Sequence, residues 1–184
     1  MHSPHTTQLH THRLTLRLIE TCDCEALSKL IVRSKSLHQW LDWADPSFTA
    51  EDAEDFILSN RINWLKGQAF GFGVFLQDSD ELIGMVAITE YSRTFNLGTL
   101  GYWVGDEYQG RGLVKEALHA LIEHSFSSLK ITRLEIICDP SNHISQKVAS
   151  GVGACFETKA RNRFIYAGEA RDGLVYSLVP SREE

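Results

Sequence analysis

The segment Tyr102-Trp103-Val104-Gly105-Asp106-Glu107-Tyr108-Gln109-Gly110-Arg111-Gly112-Leu113-Val114-Lys115 passes from an apolar strand pattern, through a glycine turn, into an amphipathic helix pattern. Glycines just ahead of a helix leave backbone N–H groups uncovered at its positive dipole end, a setting that suits phosphate. Spacing separates the loops of this kind. A dinucleotide loop needs G-x-G-x-x-G, and Lys115 stands where the third glycine belongs. A Walker loop needs G-x-x-x-x-G-K-[ST]; Gly105 and Gly110 have that spacing, but Arg111 replaces the lysine and Gly112 the magnesium-binding hydroxyl. What remains is Gln109-x-x-Gly112, followed by Val114 where a small residue would complete the pattern. Further along, Asn142-x-x-Ser145 opens a second helix pattern. Asparagine there is a favoured helix cap. Capping alone does not require the serine.

The elements that must position these groups follow from periodicity. Leu14, Leu16 and Leu18 alternate with polar residues, predicting a half-buried strand over 12–19. A helix over 22–33 follows, then an irregular segment 34–48 carrying Trp40, Trp43 and Phe48. Thr49-Ala50-Glu51-Asp52 reads as a capped start for a helix to about Lys66. Strands are expected over 69–76, 82–91 and 98–104, then a helix from Gly110 to about Phe126. A short strand Arg133–Cys138, a helix Asn142–Val152 and strands near 154–165 and 173–179 close the chain. The order predicts a single α+β domain over 1–184, with a mixed central sheet, about four flanking helices and a flexible terminus at 1–11.

With 184 residues, 43% hydrophobic and 23% charged, the chain can bury a real core. A net charge of −6 and no run of Lys or Arg argue against nucleic-acid binding. No apolar stretch is long enough to span a membrane, and no signal-peptide core is visible, so a cytoplasmic location is expected. Cys22, Cys24, Cys138 and Cys155 match no zinc spacing and read as reduced structural residues. His2, His5, His10 and His12 read as part of the frayed terminus rather than a metal site.

The Gln109 loop resembles the pyrophosphate loop of the GNAT N-acetyltransferases, and the bulky Val114 is similar to the RimJ/RimL branch. Glu81-Leu82-Ile83-Gly84, Leu100-Gly101-Tyr102-Trp103-Val104, Asn142-x-x-Ser145-x-x-Val148-Ala149-x-x-x-Gly153 and the tryptophans of Leu37–Trp43 extend the resemblance over nearly the whole chain. It implies a sheet splayed between the fourth and fifth predicted strands, with acetyl-CoA in the gap. The backbone around Tyr102, Trp103 and Val104 would pair with the pantetheine arm, and Gln109, Gly110, Arg111, Gly112, Leu113 and Val114 would hold the pyrophosphate. Tyr102–Val104 and Glu135–Cys138 would lose their mutual ladder bonds there. Asn142 would meet a pantetheine amide and Ser145 would protonate the leaving thiolate. No metal is implied. The acceptor would be a primary amine, foremost a protein N-terminus of ribosomal type, with a small-molecule amine, or CoA binding without transfer, as alternatives. RimL-like proteins are expected to form homodimers.

The base is where the chain departs from this pattern. Thr99 and Phe164 occupy the positions where relatives carry glutamate. Glu90 is the best remaining acid, ahead of Glu107 and Tyr166, and a water chain competes with it. Trp40 and Trp43, with Phe48, form either a wall for the acceptor or a core cluster. Cys138, near the expected thiol path, reads as a buried strand residue.

Overall fold

The computed structural model describes residues 7–180. Eight strands form one sheet in the order β1-β2-β3-β4-β5-β6-β8-β7. In chain order the elements are β1 (Leu9–His10), β2 (Leu14–Arg17), α1 (Cys24–Arg33), α2 (Leu37–Trp40) and α3 (Ala50–Lys66). Then come β3 (Phe70–Leu76), β4 (Leu82–Ser92), β5 (Leu97–Val104), α4 (Leu113–Ser127), β6 (Arg133–Cys138), α5 (His143–Gly151), β7 (Cys155–Tyr166) and β8 (Glu169–Leu178). This is the mixed α+β sheet expected, with one helix more. The fourth and fifth predicted strands are β5 and β6.

The centre of the sheet follows from composition. Leu82, Ile83, Gly84, Met85 and Val86 of β4 are all buried, which a strand achieves only when both of its faces are covered. Helices α1 and α3 pack together and against β4 and β3, while α4 packs over β2, β4 and β5. Thr49 caps α3 as predicted, its hydroxyl accepting from the Asp52 amide at 3.1 Å, and Gly67 ends that helix in the left-handed region.

Differences from the sequence reading are local. Leu9–His10, within the segment 1–11 expected to be flexible, instead pair with Leu16 and Thr15 of β2. Thr11 donates to Glu116 of α4 at 2.6 Å, fastening this segment to the helix after the glycine loop. His2 and His5 lie outside the described residues. The segment 34–48 contains the single helical turn α2, too short for a periodic pattern to announce. Strand β8 starts earlier than expected because Ala167 (φ 50) and Gly168 (φ 80) make a two-residue hairpin turn with both residues left-handed. An alanine there gave no turn signal.

All strand pairs are antiparallel except β5–β6. Parallel neighbours need a crossover, and α4 supplies it. On its other side the end of β5 lies tightly against β4. A Cβ on Gly84 would run into the Trp103 carbonyl and come within 2.8 Å of Val104 Cα. Gly84→Ala should therefore destabilise the protein by about 1–3 kcal/mol, the usual cost of overpacking. Because the clash falls on the end of β5, the same variant should also loosen that strand end, which urea denaturation and amide hydrogen exchange at Tyr102–Val104 would together test.

Candidate active site

Ladder bonds between β5 and β6 stop at the Leu100–Ile136 pair, although β5 continues to Val104 and β6 to Cys138. Beyond that pair each strand keeps only its outer partner: Gly101–Val104 stay on β4, and Ile137 and Cys138 on β8. The expected unpaired run at Glu135–Cys138 is shorter than predicted, since Glu135 and Ile136 still face Thr99 and Leu100. A cleft of about 340 Å³ opens where the strands part, lined by Tyr102, Cys138, Asn142 and Ser145, with Glu90 and Trp40 farther along. A second cleft of about 280 Å³, lined by Trp43, Phe56 and Trp103, shares Thr89, Gly101 and Tyr102 with it.

The glycine loop leads from β5 into α4. Gly110 (φ 72) and Gly112 (φ 76) are left-handed, a region costly for other residues. Their surroundings are open: a Cβ on Gly110 would meet nothing within 4 Å, and one on Gly112 only Arg13 Nη2 at 3.8 Å. Helix α4 begins without a side-chain cap, so its first N–H groups have no side-chain acceptor. Leu113 is buried and Val114 half-buried, leaving their backbone as the part a ligand can use. Gln109 turns away from this opening. Its Nε2 donates to Ser36 Oγ at 2.9 Å, Asp106 Oδ1 at 3.3 Å and the Val104 carbonyl at 3.4 Å, bracing the loop against the start of α2 and the end of β5. Arg111 is exposed, and its carbonyl accepts from Arg13 Nη1 at 3.2 Å.

Across the gap, Asn142 is the cap of α5, its Oδ1 accepting from the Ser145 amide at 3.0 Å. That uses its oxygen; its amide nitrogen donates to no protein atom among the described residues, and the residue lines the cleft. Ser145 Oγ lies 2.9 Å from the Tyr102 hydroxyl and 3.2 Å from Cys138 Sγ. Tyr102 also donates to the Ser145 carbonyl at 3.0 Å. One assignment uses each hydrogen once: Cys138 gives to Ser145, Ser145 to Tyr102, and Tyr102 to the main chain. Burial, with the Cys138 thiol alongside, raises the Tyr102 phenol above its ordinary value despite the Ser145 hydrogen bond. Burial likewise pushes the Cys138 thiol up, against the hydrogen bonds from Ser145 and Tyr102. All three groups are therefore neutral at pH 7. Cys138 is buried, as its strand position predicted.

A sequence model described as Acetyltransferase (GNAT) domain matches residues 13–154. The chain belongs to the GNAT acetyltransferase family. It is 50% identical to a solved protein from Vibrio cholerae assigned as a ribosomal-protein-serine acetyltransferase; the match covers 96% of this chain and 99% of that one, with a TM-score of 0.88. It is 30% identical over 156 residues to the ribosomal-protein-serine acetyltransferase of Escherichia coli (strain K12), covering 84% of this chain and 80% of that protein. It shares its fold (TM-score 0.84, 23% identity, 94% of this chain and 98% of the other) with RimL, a ribosomal L7/L12 α-N-protein acetyltransferase solved with coenzyme A.

In this acetyltransferase the far side of the cleft is assembled by irregular strands. Register shifts between Ile88 and Glu90 of β4, leaving Thr89 and Glu90 both exposed and both lining the opening. Thr99 Oγ1 donates to Glu90 at a long 3.5 Å. Thr99 and Phe164 line the same cleft as Glu90. Glu107 is elsewhere, ion-paired to Arg33 at 2.7 Å. Tyr166 lines the cleft, but its hydroxyl donates to the Gln39 carbonyl at 2.7 Å and ties β7 to α2. Trp40 is half-buried on the cleft wall. Trp43 stacks on Phe56 (centroids 4.8 Å) and meets Trp103 and Phe48 edge-on, so it is both a core aromatic and a lining residue. Phe48 belongs to the core.

Three charged lining residues were not singled out in the sequence: Asp139, Arg163 and Arg171. Burial opposes ionisation of Asp139, but bonds from the Ser141 hydroxyl and amide, with Arg171 beyond, hold its pKa below the usual carboxylate range. No spacing rule marks such residues; they meet only through the hairpin β7–β8. Among the described residues no cluster of His, Cys, Asp and Glu is arranged to hold a metal.

The thiols give a direct check of this geometry. Cys22 and Cys155 are exposed and should react promptly with a disulfide reagent at pH 7.5, whereas Cys138 should react at least about tenfold more slowly, since only the thiolate attacks. Its rate should rise with pH past the ordinary thiol range and fall again on addition of acetyl-CoA. Prompt modification of Cys138 at neutral pH would contradict the buried thiol cluster.

Proposed function

We propose that this acetyltransferase moves acetyl from acetyl-CoA directly to the N-terminal amine of a ribosomal protein. The observation that carries the acceptor class is the 50% identity, end to end, with the Vibrio cholerae protein assigned to ribosomal-protein-serine acetylation. The cosubstrate reading rests on the parted strands. Main-chain groups of Gly101–Val104 that face the gap have no ladder partner in β6, and the pantetheine amides can satisfy them as an added strand would. The pyrophosphate would lie on the open side of Gly110 and Gly112, against the uncapped start of α4. Asn142 offers its free amide nitrogen to the same arm.

The reaction then needs little from side chains. An α-amine, with a pKa near 8, is partly neutral at cellular pH. Its lone pair attacks the thioester carbon, a main-chain N–H near Val104 polarises the carbonyl oxygen, and the C–S bond breaks as the C–N bond forms. The amine's surplus proton passes to Glu90, directly or through water. Ser145 turns from its neutral bond to Tyr102 to a charge-assisted bond with the departing thiolate and passes it a proton. Water returns a proton to the serine oxygen and Glu90 releases the amine's proton to solvent, so the enzyme ends the cycle unchanged.

Cytoplasmic work and a homodimer belong to the same reading. No helix among the described residues is long and apolar enough to cross a membrane. The edge strand β7 exposes Phe156 and Ile165, apolar surface that pairing of two copies would cover.

Thiol release from acetyl-CoA should be seen with short peptides beginning Ser or Ala, and not with spermidine or a free amino acid at equal concentration. Ser145→Ala should lower kcat about tenfold or more while the KM for acetyl-CoA stays within about twofold. Turnover of a small amine alone would remove the ribosomal acceptor and keep the chemistry. Unchanged kcat in Ser145→Ala would place the acid elsewhere.

A further inference from the structure

The cleft carries a pair of cations that the transfer step does not use. Arg163 of β7 and Arg171 of β8 both line it, with side chains 33% and 39% exposed. Each has an acid neighbour, but at the edge of contact: Arg163 reaches Glu135 at 3.4 Å and Arg171 reaches Asp139 at 3.5 Å. Both acids are already served by closer donors. Glu135 accepts from Arg133 at 2.8 and 3.0 Å, and Asp139 from the Ser141 amide at 2.8 Å and its hydroxyl at 2.5 Å. The acids are the more buried partners, at 13% and 14% exposure. The guanidinium groups thus stand outward with donors to spare, and five N–H donors per arginine cannot be met by one long contact.

The local fold is built to bring them there. Register shifts between Ala160 and Phe164, with Asn162 left-handed (φ 49), and such a bulge redirects the residues that follow. Arg163 crosses β8 over Gly173, where a Cβ would come within 3.1 Å of Arg163 Cβ and Cγ. Arg171 is steadied by the Tyr166 ring, 4.3 Å from its guanidinium carbon, and Tyr166 is itself tethered to Gln39. Opposite this wall the cleft presents Glu90. One end of the cleft accepts a proton or an ammonium; the other offers two guanidinium groups.

We propose that Arg163 and Arg171 form a subsite for a carboxylate carried by the acceptor within a few residues of its amine, so that the preferred acceptors are peptides with an acidic residue close behind the first one. This rests on the peptide acceptor of the preceding section. Planar bidentate donors suit a carboxylate, and a charge-assisted pair at a partly desolvated site discriminates by roughly tenfold or more.

The test compares Ser-Ala-Ala-Ala with peptides carrying one Asp or Lys at the second, third or fourth place, in wild type and in Arg163→Gln and Arg171→Gln. In wild type at least one Asp peptide should exceed the neutral one in kcat/KM by about tenfold, chiefly through KM, and its Lys counterpart should fall below it. The Asp-to-neutral ratio should collapse toward unity in each variant, whatever the substitution does to the common rate, and Arg171→Lys should restore part of it. The subsite is overturned if wild type turns over all peptides alike, if the ratio survives both substitutions, or if the variants raise only the KM for acetyl-CoA. No turnover of any peptide, with acetyl-CoA still bound by calorimetry, would overturn the peptide acceptor itself, as would turnover of free aspartate alone.

Discussion

The site depends on two parallel strands that must stay in one sheet while failing to pair at one end. Parallel neighbours finish at the same edge, and β5 and β6 each hand the chain to a helix there, so the starts of α4 and α5 converge on one opening. Their positive ends favour an anionic ligand approaching along the gap. The opening does not cost the sheet its continuity, because β4 and β8 hold the outer sides of the two strands. Gly84 lets the end of β5 lean onto β4, and Tyr102 reaches across to Ser145, so the separation is held from both sides. Unpaired main-chain groups in a cleft must find partners, and an extended ligand with alternating amide groups supplies them in the geometry of a strand.

Elsewhere the side chains that face the acceptor are placed by faults in the ladder. A regular strand sends alternate residues to opposite faces, so Thr89 and Glu90, or Arg163 and Phe164, would not serve one cleft. The shifts between Ile88 and Glu90 and between Ala160 and Phe164 remove that constraint on both walls. The regular parts bury the core, and the irregular parts carry the site.

This division explains what could be read beforehand. Leu82–Ile88, the helix face of α4 and the Thr49 cap are short-range patterns, and the order of elements followed from them. The glycine loop and Asn142-x-x-Ser145 were visible because a ligand approached by backbone needs particular residue types at fixed spacing. Arg163 and Arg171 on the edge hairpin, and Asp139 just after β6, carry no such signal, because a charged residue at a strand or strand end looks the same whether it meets water or a cleft. Likewise the anchoring of Thr11 and Arg13 on Glu116 joins residues a hundred positions apart, and no local pattern encodes it.

The absence of carboxylates at Thr99 and Phe164 becomes intelligible from the charge balance around the sulfur. Tyr102, Cys138 and Ser145 are neutral, and burial raises the first two further from ionisation. A thiolate forming among these three neutral groups would be poorly solvated, which makes it a stronger base than in water. In the reaction proposed above, such a base would take a proton from a weak donor such as the Ser145 hydroxyl as water returns one to the serine oxygen. At the other end the attacking amine is already partly neutral, so the proton it sheds is shed after attack, when it is far more acidic than in the free ammonium. In that proposed reaction an exposed carboxylate such as Glu90, or water beside it, would then be sufficient. The ordered polar contacts of the cleft are concentrated at the sulfur end, among Tyr102, Cys138 and Ser145, while the amine end holds Glu90 by a single long contact and is left open.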